Sequence, residues 1–520
     1  MQINSILIVG GGSAGWFTAS SLCKHCPEIQ VTLIESPNVP TIGVGESTLG
    51  FINNFFRTLD MKDEEWMPAC NATYKASIKF TDFYKKGETF HYPFGDMDFK
   101  YNKFRGDDWF FKKWAYPEIS HENFVDSYFP QMPLIRDSKI FFNTDNSIPV
   151  FDPNNDLAYQ LDATLLAHWM KDNLCLPTGM KHILDHVTNV NLNEQGWISN
   201  IDTENSGTLK ADLYIDCTGF KSLLLEQALE IPFTTYKDEL INNKAWATHK
   251  PFKDKNKEME LWGNNTAIEN GWVWNVPLWP NIGTGYVYCD GFISDDDALV
   301  EFQKHIGCGD ELDYKLVEMK NGRYSKFWHK NCLAIGLSSG FIEPLESTGL
   351  LLTHETIDKL ITILTSRDRH INEFDRTTLN ISMGQFIDNF KSFVTMHFTL
   401  SHREDTEYWK YYTQDVDFNK EGIIINLAKV RMQSGTTREL GIGGLCIAVG
   451  EHLNIFDDYL IQKSCSRYPE HETMFTNKED AKQQLQEVIS YWNMRTTMVQ
   501  EIADQCPTMF EYLEKNLYNN

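Results

Sequence analysis

The chain opens with a short apolar run, Ile6-Leu7-Ile8-Val9, which stops at three glycines and gives way to helical spacing over residues 16–26. Such a run reads as a strand buried on both faces. A second strand follows at residues 30–34, so residues 5–35 predict a βαβ unit. Residues 75–83 alternate: Ala76, Ile78 and Phe80 share one face, and Lys75, Ser77, Lys79 and Thr81 the other. That pattern predicts a half-buried strand with Lys75 in solvent. Residues 160–173 carry helical spacing through Leu161, Leu165, Leu166 and Trp169, residues 181–220 read as strands, and residues 348–365 form an amphipathic helix. Beyond about residue 372 helical patterns dominate, notably over 478–504. The expectation is a mixed α/β first part over 1–370 and a mainly helical part over 371–520.

Composition narrows the setting. At 520 residues and 42% hydrophobic, the chain can bury a large core. The formal net charge of −25 disfavours nucleic acid and anionic membranes as partners. No apolar run reaches the roughly 20 residues of a membrane helix, and the first apolar run enters a glycine turn rather than a cleavage site. Eleven scattered cysteines suit reduced thiols. The expected location is therefore cytoplasmic. Cys23-Lys24-His25-Cys26 has no second pair to complete a metal site, and no metal is expected.

Gly10-Gly11-Gly12-Ser13-Ala14-Gly15 lies between the first strand and the first helix. The glycines permit a tight turn and close approach to a pyrophosphate, which the helix N–H groups can bind. Glu35 ends the second strand, where an acid holds a ribose hydroxyl. Residues 212–219 resemble the segment with which flavoprotein monooxygenases contact FAD a second time. Gly43-Val44-Gly45-Glu46-Ser47-Thr48 is similar to a flavin strap, the alternative being an ordinary glycine turn. A single dinucleotide motif is present, so reduced FAD is expected from a separate flavin reductase.

Three further segments narrow the chemistry: Lys79, Gly271-Trp272-Val273-Trp274-Asn275-Val276-Pro277, and Phe341-Ile342-Glu343-Pro344-Leu345-Glu346-Ser347-Thr348-Gly349. With the glycine motif, they resemble the flavin-dependent halogenases of the tryptophan-halogenase-like superfamily, as far as about residue 365. The resemblance implies a Rossmann-like FAD-binding module of the flavoprotein monooxygenase type with a mainly helical C-terminal substrate module. It implies that reduced FAD and oxygen oxidise a halide to hypohalous acid, which is relayed to Lys79 and halogenates an electron-rich aromatic. Lys79 either hydrogen-bonds the oxidant or carries it as a haloamine, and Glu346 polarises it or takes the ring proton. Thr348 and Gly349 bind the halide at a helix N-terminus that Ser347 and Thr348 are expected to cap. Trp272 and Trp274 bar the substrate from the flavin, and Glu343 is read as structural. FAD contacts fall to Gly10, Gly12, Ser13, Ala14, Gly15, Glu35, Gly45, Val187, Leu337 and Leu350, and a homodimer is implied by resemblance alone.

The alternatives are an aromatic hydroxylase on the same fold, which has no use for the lysine, the glutamate or the tryptophan barrier, and a flavin-binding protein without catalysis. No aromatic clamp for free tryptophan is legible in residues 441–458. The expected substrate is thus a small indole- or phenol-like arene, free or carrier-bound, with chloride, bromide or iodide as the halide. His91, Phe94, Phe110 and Phe111 either line its pocket or belong to the core.

Overall fold

The computed structural model describes residues 1–38, 45–101, 103, 108–120, 122–142, 148–399, 401–416, 475 and 477–519. The expected βαβ unit is present as β1 (Ser5–Val9), α1 (Ser13–His25) and β2 (Gln30–Glu35). Four of the five β1 residues are buried, as the apolar run requires of a central parallel strand. β1 lies between β2 and the later strand Leu213–Asp216, both parallel to it, in a six-stranded sheet. Asp212 ties this sheet together at its edge, its Oδ2 accepting from the backbone N–H groups of Asn4 and Ser5.

The 75–83 segment departs from its alternation. The chain runs through β3 (Thr73–Lys75) and β4 (Ser77–Thr81), which belong to different sheets. Ala76, between them, donates to Leu261 O at 2.7 Å and accepts from Phe94 N at 2.8 Å. Because the chain changes sheet at Ala76, the residues before it do not continue the exposed face. Lys75 is fully buried, which corrects its expected place in solvent.

β4 joins a seven-stranded sheet, antiparallel to β5 (Thr89–Pro93) and parallel to β6 (Trp262–Ile268). β7 (Gly271–Pro277) pairs antiparallel with β6 and with β8 (Ile282–Tyr288). The helix expected over 160–173 starts later, at Ala163, because Leu161 ends the strand Ala158–Leu161 and Asp162 caps the helix through Thr164 N and Leu165 N; it runs to Met170 and continues as a π-helical turn over Lys171–Cys175.

α2 (Thr348–Ser366) buries ten residues and packs on α1. α3 (Glu373–Thr399) and α4 (Lys478–Gln505) carry the helical character expected of the last third. α4 is fastened by a buried ion pair, Arg495 to Asp98 at 2.9 Å, with Tyr491 donating to the same carboxylate at 2.6 Å. Residues 441–458 lie outside the described residues. Among the described residues no helix is long and apolar enough to cross a membrane.

Candidate active site

The glycine turn and the 336–350 segment face one cavity of about 1000 Å³. That volume is at the upper end for a single bound ligand. Gly10, Gly12, Ser13, Ala14, Glu35, Gly45, Val187, Leu337, Thr348, Gly349, Leu350 and Trp274 all line it, as do Lys75 and Phe390. Gly15 does not; it sits behind the turn, where a Cβ would fall 2.0 Å from Gly10 O. Its role is close packing within the turn rather than ligand contact. Gly10 adopts φ +112 beneath Cys217 O, a conformation and clearance that suit only glycine. Gly12 differs from both, because a Cβ there meets no protein atom within 4 Å. The open space above it is the cradle a pyrophosphate needs, so the residues present fit FAD. Glu35 accepts from or shares a proton with His182 Nε2 at 2.7 Å, which holds the carboxylate beside Gly11.

At the far wall, α2 starts without a side-chain cap. Ser347 occupies the N-cap position with φ +57, and its side chain makes no capping bond. The expected cap is therefore absent; Ser347 Oγ instead accepts from Lys75 Nζ at 2.9 Å. The first N–H groups of a helix have no partner within the helix, and here Thr348 and Gly349 line the cavity uncapped. The partial positive charge of a 19-residue helix suits an anion at this point.

Trp274 lines the cavity, and Trp272 is fully buried beside it with ring centroids 6.2 Å apart. Glu343 fixes Trp272 in place. Its Oε2 accepts from Trp272 Nε1 at 2.9 Å and from Asn242 Nδ2 at 2.8 Å. Burial pushes the Glu343 carboxyl up to about 7. The structural reading of Glu343 thus acquires a definite object.

Lys79 and Glu346 do not line the cavity. Lys79, half-buried on β4, lies opposite Asn264 of β6 and His91 of β5, and its ammonium stands 5.5 Å from the Trp262 ring centre. No ion pair holds it among the described residues. Burial, and then the Lys79 charge, pushes the neighbouring His91 down to about 3, so His91 is neutral and accepts from or donates to Ser77 Oγ at 2.9 Å. Glu346 is buried with its Oε1 2.8 Å from His397 Nε2. His397 Nδ1 faces Phe393 O at 3.0 Å and so carries a proton there. The Glu346–His397 contact is off the line of a good hydrogen bond, and among the described residues neither Glu346 oxygen has a hydrogen-bond partner. A buried carboxyl group with open oxygens beside a histidine is suited to proton transfer.

Of the other pocket candidates, His91 and Phe94 are buried near Lys79 and Lys75, while Phe111 packs on Phe475 in a separate cluster. The side chain of Phe110 lies outside the described residues. Sequence reasoning missed Lys75, His182 and His397. Nothing local marks the two histidines, since each meets its carboxylate across the fold.

The family model described as tryptophan halogenase matches residues 5–438. The chain belongs to this family. It is 36% identical to the tryptophan 6-halogenase SttH of Streptomyces toxytricini, covering 78% of this chain and 80% of that one. It is 30% identical to the tryptophan 7-halogenase RebH of Lentzea aerocolonigenes, covering 82% and 83%. Among solved structures, the apo structure of VirX1 superposes with a TM-score of 0.90 at 37% identity over 99% of this chain and all of that one. The protein is a flavin-dependent halogenase, with reduced FAD and a halide as co-substrates. The hydroxylase alternative falls with that assignment.

Proposed function

We propose that this halogenase forms hypohalous acid at the Thr348–Gly349 end of the flavin cavity and consumes it on the far side of the tryptophan wall, at Lys79 and Glu346. The observation that supports this is the division of the site. Thr348, Gly349 and Trp274 line the cavity, whereas Lys79 and Glu346 stand outside it. Bound FAD supplies the two-electron oxidation of the halide with oxygen. The chain's own residues do the rest. The uncapped start of α2 binds the halide, and Trp272, held by Glu343, excludes the arene from the flavin. Lys79, without a carboxylate clamp among the described residues, donates to the oxygen of hypohalous acid and makes its halogen more electrophilic. The arene takes the halogen as the oxygen–halogen bond breaks, the oxygen leaves as water with a proton from Lys79, and the ring proton passes to Glu346, from which it is returned to the lysine through solvent.

The relatives named above act on tryptophan by their names. For this chain we propose an indole- or phenol-like arene, without strict selection of free tryptophan, and a substrate module within 371–520. A separate flavin reductase, a homodimer and a cytoplasmic location belong to the same proposal. The test is mass spectrometry on reactions containing a flavin reductase, NADH, FAD and oxygen, with a panel of indoles and phenols and each of chloride, bromide and iodide. A halide mass shift that disappears in Lys79→Ala is expected. Halogenated product at full rate from Lys79→Ala overturns the role given to that lysine.

A further inference from the structure

Among the described residues, Lys75 is the one lysine of the cavity wall that is wholly buried, and the family resemblance gave it no role. Its Nζ donates to Thr48 O on the strap at 3.0 Å and to Ser347 Oγ at 2.9 Å. Ser347 immediately precedes Thr348 and Gly349. An ammonium has three protons, and the third finds no hydrogen-bond acceptor among the described residues. The Phe94 ring lies 5.1 Å away, and a Cβ on Gly263 would touch the Lys75 chain at 3.5 Å, so little water surrounds the group. Since the Ser347 oxygen accepts from Lys75, its own hydroxyl proton is turned elsewhere. The start of α2 thus combines uncapped N–H groups, a serine hydroxyl and a buried cation on one wall of the cavity.

We propose that Lys75 supplies the positive charge of the halide site. This rests on halide binding at Thr348 and Gly349. A cation in a dry site holds an anion far more strongly than one in water. Its anchorage to both Thr48 O and Ser347 Oγ fixes where that charge stands relative to the start of α2.

The same burial pushes the Lys75 ammonium down to about 7, with Glu346 opposing the shift. Halide binding favours the charged form, so affinity is full below that pH and falls as pH rises through it. Glu346 is the charged group that acts on Lys75. Glu343, on the same turn, answers to burial, Asn242, Trp272 and His397, and Glu46, on the strap, to burial and Asp162.

The test uses FAD-loaded protein and reads bromide KM and kcat on either side of pH 7, together with chloride-35 NMR line broadening, which reports halide binding without turnover. In the wild type, halide affinity falls up to about tenfold per pH unit above the titration. Lys75→Met and Lys75→Gln raise bromide KM roughly 10- to 100-fold, flatten its pH dependence, and leave oxidation of reduced FAD by oxygen intact. Lys75→Arg keeps a charge that does not titrate, so it restores affinity and removes the pH dependence. The same profile should persist in Glu46→Gln, whereas Glu346→Gln, which removes the charge that opposes the shift, should move it to lower pH. An unchanged KM and pH profile in Lys75→Met overturns the proposal, as does equal loss of FAD binding, which makes Lys75 a packing residue. If the substitutions prevent folding, a wild-type halide affinity that is flat across pH 7 overturns it. Halide binding without any halogenated product would instead count against the arene chemistry and leave Lys75 to be judged by the NMR titration.

Discussion

Gly12→Val separates the cofactor from the fold. Gly12 has φ −74 and ψ −174, which valine adopts without strain. A Cβ there touches no protein atom within 4 Å. Gly12 is also the N-cap of α1, where valine in place of glycine costs on the order of 1 kcal/mol. The flavin-free protein should therefore keep its fold. Gly15→Val should not, since its Cβ would strike the Gly10 carbonyl at 2.0 Å. The space over Gly12 is where a pyrophosphate meets the first N–H groups of α1. A valine that displaces it removes two charge-assisted hydrogen bonds worth about 1.5–3 kcal/mol each. The sum is about 3–6 kcal/mol, or roughly 10²- to 10⁴-fold in Kd. Flavin fluorescence titration gives the affinity, and thermal unfolding without flavin gives the stability. The expected result is an FAD Kd raised at least about 100-fold with a Tm lowered by a few degrees at most. An FAD Kd within about threefold of the wild type would refute the placement of the pyrophosphate.

Other substitutions probe the remaining parts. Lys79→Ala should abolish halogenation while FAD binding and oxidation of reduced FAD persist; joint loss of all three in the same assays would make Lys79 structural. Glu346→Gln should slow product formation by about 100-fold or more at saturating halide, and near-normal turnover would remove Glu346 from proton transfer. Arg495→Met strands the buried Asp98 carboxylate and should cost about 3–5 kcal/mol in urea unfolding; a loss under about 1 kcal/mol would show that α4 is held by its apolar face alone. Iodoacetamide at neutral pH should label Cys23 before Cys26, because the Cys175 thiol hydrogen-bonded to Cys23 brings it down to about 7 while burial pushes Cys26 up to about 11. Peptide mapping that finds Cys26 labelled first would contradict this.

The strand, glycine turn and first helix were legible because each depends on neighbours within a few residues: an apolar run, a turn only glycine can make, and a regular helical repeat. α2 was legible for the same reason. The tryptophan pair on β7 was legible as a pair, but its clamp was not, since Glu343 and Asn242 reach Trp272 from elsewhere in the fold. Lys75 was misplaced because period-two reasoning assumes one continuous strand, and the chain changes sheet at Ala76. Ser347 looked like a cap by residue type, yet its positive φ turns the hydroxyl from the helix to Lys75. His397 shows nothing of its role locally; α3 brings it to Glu346 from another part of the chain.

The change of sheet at Ala76 also sets a length. Lys75 faces the flavin cavity and Lys79 lies beyond it, four positions further along extended backbone. At about 3.3 Å per residue the two α-carbons stand at most roughly 13 Å apart. If the oxidant arises in the cavity and is spent at Lys79, as proposed, the change of sheet separates the two places. Redesign for a different ring position then has to move the arene, because the backbone of Lys79 is held in the seven-stranded sheet.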